Sequence, residues 1–145
     1  MLPLPHHYRV HLVGGPEGYA ELTGDGVPTL TSAAPRDFDG PGDAWSPEYL
    51  LLAAVSSCFL LTLRAVAKAS KLDFVALDCP CDGVLDKKDR IMQFTSIVLR
   101  PHLQIRSEED REKALRILEK SKAGCLVSAS LSTPVALEPT LIVAS

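Results

Sequence analysis

The spacing of apolar and polar residues changes period several times along the chain. Residues 7–13 alternate, the period of a half-buried strand. Gly14-Gly15-Pro16-Glu17-Gly18 marks a turn. Residues 19–22 read as a short strand, and Asp25-Gly26 is a hairpin signal before a further strand over 27–31. Residues 33–45, rich in Pro, Gly and Asp, predict a loop.

The pattern then turns helical and densely apolar. Ser46 suits an N-cap, Pro47 the first helical position, and Glu48 places an acid in the first turn. The apolar residues carry the helix to about Ser70. Its most apolar run, residues 49–61, is broken by Ser56 and Ser57 and soon followed by Arg64 and Lys68. A membrane span needs ~20 apolar residues, so the run predicts a buried core helix rather than a bilayer segment. Residues 74–86 and 91–105 read as two long strands around the polar turn Lys87-Lys88-Asp89-Arg90. Ser107-Glu108-Glu109-Asp110 opens a second helix that runs to Lys122, with Gly124 as its C-terminal cap. Residues 134–143 predict a last strand, which Pro139 marks as an edge or a bulge.

This order predicts an α+β fold with helices on antiparallel sheet. At 145 residues the chain reads as one domain, 1–145. The central helix is apolar nearly all round, and one chain of this size offers little to surround it. Ala53, Ala54, Ser56 and Ser57 would let a second helix approach closely. An intertwined homodimer with this helix at its heart is the expected solution.

Composition adds exclusions. The chain is 46% hydrophobic and 23% charged with a net charge of −3, which argues against nucleic acid or an anionic membrane as partner. The first seven residues lack the basic and long apolar stretches of a signal peptide, so a cytoplasmic location is expected. There a disulfide is transient and catalytic rather than structural. No Gly-x-Ser-x-Gly elbow, phosphate loop or dinucleotide fingerprint is present. His6, His7, His11 and His102 show no ligand spacing and read as surface residues.

The candidate chemistry is sulfur chemistry. Cys58 sits about three turns inside the apolar helix, and Cys125 follows the second helix beside Gly124. A cysteine attacks as its thiolate; burial opposes ionisation, and the helix dipole fades within the first turn. A reactive Cys58 therefore needs a cation, best an arginine oriented by a carboxylate. Glu48 is the obvious carboxylate, but ten residues of helix separate it from Cys58, roughly 15 Å. A bridging arginine or residues from a second subunit would close that gap. The bland alternative is that both cysteines only pack the core. Cys79-Pro80-Cys81 places two sulfurs on one side of a strand, half of a tetrahedral zinc site, and metal binding is not expected there.

The stretch Ser46-Pro47-Glu48-Tyr49-Leu50-Leu51-Leu52-Ala53-Ala54, leading to Cys58-Phe59, resembles the (N/S)PE-x-L-x-x-A-A…C-F signature of the OsmC/Ohr family. Lys122-Ala123-Gly124-Cys125-Leu126-Val127-Ser128 resembles its second motif, K-A-G-C-P-V-S, of the OsmC branch, with Leu126 in place of the usual proline. The resemblance implies an intertwined α+β homodimer and a thiol peroxidase. Cys58 would be the peroxidatic cysteine, Cys125 the resolving cysteine, and Glu48 the motif carboxylate. The Ohr branch carries its arginine in an early Gly-Gly-Arg turn, which here is Gly14-Gly15-Pro16-Glu17. The OsmC branch carries it in the loop before the helix, which selects Arg36 over Arg9 or Arg64. Organic hydroperoxides as substrates, dithiols or lipoylated proteins as reductants, and no metal, flavin or haem are implied as well. The apolar residues 50–52, Phe59 and Leu60 favour a bulky or fatty hydroperoxide. Two other functions stay open: a non-catalytic dimer that binds an apolar ligand, and a thiol enzyme acting on persulfides.

Overall fold

A computed structural model describes residues 1–145. They form two compact units, Met1–Leu50 and Leu51–Ser145.

The first unit is an antiparallel meander. Strands β1 (Val10–Val13), β2 (Ala20–Gly24) and β3 (Leu30–Ser32) pair in the order β1-β2-β3, with Leu12 opposite Leu22 and Leu22 opposite Leu30. The expected strands are present; β1 and β3 are shorter than predicted, β2 runs on to Gly24, and β1 is exposed throughout. Gly26, at φ 75°, makes the hairpin turn that a side chain would strain. The predicted loop holds one 3-10 turn, Arg36–Phe38, and returns so that Trp45 bridges Ser32.

Helix α1 (Pro47–Ala69) begins at the expected cap: the Tyr49 N–H donates to the buried Ser46 hydroxyl at 3.1 Å. It is buried along one stripe, Val55, Phe59, Leu63 and Ala67, the i, i+4 spacing of one helix face. By length and composition α1 could cross a membrane, and most of its surface is not covered by this chain. The expectation of a helix buried on most sides is thus met on one face only.

The rest of the second unit corrects the strand reading. Each predicted long strand is two. β4 (Ala76–Asp78) stops before Pro80 and β5 (Cys81–Lys88) follows; β6 (Ile91–Leu99) stops before Pro101 and β7 (His102–Ile105) follows. The last strand divides the same way around Pro139, into β8 (Val135–Leu137) and β9 (Thr140–Val143). Proline cannot donate to a ladder, so the hydrogen bonding stops and restarts at each one. The halves form two three-stranded sheets with matching order, β4-β7-β9 and β5-β6-β8. Three backbone bonds stitch the seam between them: Arg100 N–H to the Pro80 carbonyl (2.9 Å), Glu138 N–H to the Leu99 carbonyl (2.9 Å) and Thr140 N–H to the Pro101 carbonyl (2.8 Å). Across the same seam Arg100 reaches Asp82 at 2.7 Å and Glu138 at 2.6 Å.

The sheets are also not purely antiparallel. β8 runs parallel to β6, and β9 parallel to β7. Between β7 and β8 the chain passes through helix α2 (Arg111–Ala123), and a helical crossover of that length returns the strand in the same direction. Ser107 accepts from the Glu109 N–H as predicted, but it caps a 3-10 turn, Glu108–Asp110, that leads into α2. Gly124 closes α2 with its N–H on the Lys120 carbonyl, 2.9 Å. The core of this unit lies where the α1 stripe meets Ala114, Ile117 and Leu118 of α2 and Ile97, Leu99, Leu103 and Ile105 of the sheets. Gly83 is required by close approach: a side chain there would meet Phe94 at 2.8 Å and Leu52 at 2.9 Å.

Candidate functional site

Cys58 and Cys125 come together in the second unit. Cys58 lies on α1 in the turn after Val55 and is half-buried; both cysteines are free thiols. One turn on, the Thr62 hydroxyl donates to the Cys58 carbonyl at 2.8 Å and lies 3.9 Å from the Cys58 sulfur. Gly124 packs against Thr62 and would touch it through an added side chain at 3.6 Å. The end of α2 is thereby set beside α1, and the chain turns at Cys125 into a one-turn helix, α3 (Leu126–Ala129). Cys125 is its N-cap residue and is buried, with the Ser128 hydroxyl donating to its sulfur at 3.4 Å.

Burial alone pushes the Cys58 thiol up. It is outweighed by the Val127 N–H, the Cys125 thiol, the Thr62 hydroxyl and the Leu126 N–H, so the thiol lies below its ordinary value. Backbone donors aimed at a sulfur favour its charged form just as they favour a carboxylate. The groups acting on Cys58 are thus four neutral donors from residues 62 and 125–127. The Leu126 N–H is one of them, a donor that proline at this position would lack. Sequence reasoning missed Thr62, although its i+4 spacing from Cys58 was a readable signal. It had no means to find the two amides, because the turn of α3 that aims them carries no cap motif of its own.

The other two predicted residues lie in the first unit. Glu48, in the first turn of α1, has its Oε1 shielded from solvent with no hydrogen-bond partner. It lines a cavity of about 430 Å³ with Leu12, Ala20, Pro35 and Phe38. Arg36 opens the 3-10 turn and is exposed; its side chain lies along Gly42, where any added side chain would collide with it. Arg36 joins none of the ion pairs of the chain, which are Arg100 with Asp82 and Glu138, Arg106 with Asp73, and Arg111 with Glu108.

Cys79 and Cys81 are half-buried and stand apart from this chemistry. No group of three or more His, Cys, Asp or Glu side chains is placed to hold a metal ion.

Residues 40–140 match the family model described as OsmC-like protein. The chain belongs to the OsmC-like protein family. The matched stretch contains Glu48, Cys58 and Cys125 and leaves out Arg36. This OsmC-like protein is 26% identical over 107 residues to the uncharacterized protein YmaD of Bacillus subtilis, an alignment covering 72% of this chain and 71% of that one. It is 30% identical over 93 residues to peroxiredoxin OsmC of Escherichia coli, covering 64% of each. Its fold matches an OsmC-like protein of unknown function from Vibrio cholerae with a TM-score of 0.86 at 17% identity, over 93% of this chain and 99% of the other.

Proposed function

We propose that this OsmC-like protein is a cysteine-based peroxidase that reduces organic hydroperoxides. The observation that carries the reading is the pairing of a thiol held below its ordinary value, Cys58, with a second free thiol, Cys125, beside it and among the groups that lower it. The Cys58 thiolate attacks the outer oxygen of R–O–O–H. The O–O bond breaks, R–OH leaves with a proton, and Cys58 becomes a sulfenic acid. Cys125 then attacks that sulfur, water leaves, and a disulfide forms before further oxidation can occur. A dithiol reductant, such as a lipoylated protein, restores both thiols by exchange. No metal, flavin or haem takes part.

Arg36 and Glu48 have roles in this reading. The guanidinium adds positive charge at the thiolate and Glu48 orients it through a paired hydrogen bond. Support comes from each residue by itself: Glu48 carries a buried oxygen that lacks a donor, and Arg36 has no carboxylate partner. A homodimer formed on the uncovered face of α1, where Leu61 and Tyr49 are exposed, and a cytoplasmic location complete the proposal.

The test is intact mass before and after one equivalent of cumene hydroperoxide, followed by peptide mapping. A loss of two hydrogens mapped to Cys58–Cys125 supports the cycle. An unchanged mass, or oxidation confined to Cys79 and Cys81, overturns it and leaves a binding protein with an apolar cavity beside Glu48.

A further inference from the structure

Cys79-Pro80-Cys81 spans the seam where the chain leaves one sheet and enters the other, between the end of β4 and the start of β5. Burial alternates across it: Cys79 and Cys81 are half-buried and pack against the hydrophobic core, while Pro80 between them is exposed. The residue before a proline is held extended, and Cys81 is already strand, so the two side chains share the inner face. The backbone is fixed from both sides, since Arg100 donates to the Pro80 carbonyl at 2.9 Å and Cys81 pairs with Leu99 across the ladder.

Two extended residues span about 6.6 Å between Cα atoms. Disulfides favour roughly 5.5–6 Å and reach about 6.8 Å only at their upper limit. A direct S–S bond over one intervening proline is therefore poorly matched to this backbone. A centre that bridges two sulfurs and holds them further apart suits it better. The absence of a third ligand excludes the four-coordinate thiolate and imidazole sites that zinc uses. A soft ion that is content with two thiolates is what remains, and monovalent copper is the first-row ion selected by such ligands.

We propose that Cys79 and Cys81 form a two-thiolate site for monovalent copper, separate from the Cys58–Cys125 chemistry. Binding follows 2 R–SH + Cu⁺ → [Cu(SR)₂]⁻ + 2 H⁺. Both thiols are protonated at neutral pH. Burial pushes Cys79 up to about 11, with the Asp78 charge adding and the Arg100 N–H opposing; burial pushes Cys81 up to about 11, with the Cys79 and Asp82 charges adding. Two protons must therefore leave per ion, and the apparent affinity should rise about 100-fold per pH unit near neutrality.

The experiment is an anaerobic competition between the C58S/C125S chain and a chromogenic chelator of monovalent copper, at pH 6.5, 7 and 7.5. One copper per chain is expected, with the two-proton pH slope. C79S and C81S, each added to that background, should each lower retention at least 100-fold. On the unaltered chain, alkylation near pH 11 should label Cys79 and Cys81 in the copper-free protein and leave both protected in the copper-loaded protein, as read by peptide map. That readout needs no variant to fold. Failure to retain copper against the chelator, retention unchanged in C81S, a one-proton slope, or free alkylation of both cysteines in the loaded chain would each overturn the proposal.

Discussion

Two cysteine pairs lie in one folded unit and are driven in opposite directions. Burial raises the thiol in both places, so burial does not distinguish them. The difference is what the backbone offers. At Cys58 the turn into α3 aims the Leu126 and Val127 N–H groups at the sulfur, and Thr62 and Cys125 add side-chain donors. Around Cys79 and Cys81 the backbone is tied up in pairing, with Cys81 opposite Leu99 in the ladder and the Arg100 N–H on the Pro80 carbonyl; that N–H alone favours the charged form of Cys79, and nearby acids oppose ionisation at both. A helix turn leaves N–H groups free to serve a ligand, whereas a strand pairs them. Reactivity is therefore set by which kind of element abuts the sulfur.

The most severe way to break the comparison is to remove the sulfur of the activated pair. Cys58→Ser should reduce hydroperoxide turnover to the uncatalysed background, whereas C79S/C81S should turn over at the wild-type rate. Cys125→Ser should still consume one equivalent of hydroperoxide and then stall with Cys58 as sulfenic or sulfinic acid, visible as an added mass of oxygen. Full turnover by the Cys58→Ser chain would end the peroxidase reading.

Alkylation by iodoacetamide across pH 5–11 sharpens the contrast. Cys79 and Cys81 are pushed up to about 11 by burial, whereas Cys58 lies below its ordinary value, so Cys58 holds more thiolate at neutral pH. Cys58 should react faster than Cys79 or Cys81 at pH 7, and keep reacting as the pH falls below the ordinary thiol range. Cys79 and Cys81 should become reactive only near pH 11. Stability should respond with opposite signs. Raised folded-state values at Cys79 and Cys81 give a contribution that is complete below the unfolded thiol value and is lost as pH rises through about 11. The lowered Cys58 gives one that is present above the unfolded value and is lost as pH falls through its folded value. Denaturant titrations at pH 8 and pH 10.5 should therefore show a fall in the wild type that is smaller in C79S/C81S.

Glu48 and Arg36 offer the next effect. E48Q and R36A should each slow hydroperoxide reduction, and the double variant should be no slower than the worse single one, because an orienting carboxylate acts only through the group it orients. Additive losses would separate the two residues.

The same contrast shows what could be read from the chain. The α1 cap was legible because Ser46-Pro47-Glu48 is a local signal, and the two cysteine motifs because each is a short run of fixed spacing. The three proline breaks were visible as residues but not as a seam. Alternation continues through Cys79-Pro80 and Arg100-Pro101, and only the pairing of the halves with different partners reveals two sheets. The direction of β8 and β9 was illegible for a similar reason, since a strand's period does not say which way its neighbour runs. Within the site the sulfurs were found and their donors were not. Backbone N–H groups belong to every residue, and only the turn at Cys125 selects the two at Leu126 and Val127.

The smallest effect probes the division of labour at Cys58 itself. Thr62→Val keeps the shape and β-branching of the side chain and removes the hydroxyl that lies 3.9 Å from the sulfur. While the thiol is protonated, this hydroxyl gives its proton to the Cys58 carbonyl at 2.8 Å; once the thiolate forms, it can turn the proton to the sulfur instead. One such bond is worth about 1 kcal/mol, or up to about tenfold in thiolate population. Thr62→Val should accordingly move the alkylation midpoint of Cys58 upward and slow its reaction at pH 7 by about two- to tenfold, leaving Cys79 and Cys81 unaffected. Ser128→Ala, which removes the donor on Cys125 at 3.4 Å, should leave that midpoint in place and slow only disulfide closure. An unmoved midpoint in Thr62→Val would mean that the backbone amides and Cys125 hold the thiolate without the hydroxyl, which makes the α3 turn, more than α1, the element that activates Cys58.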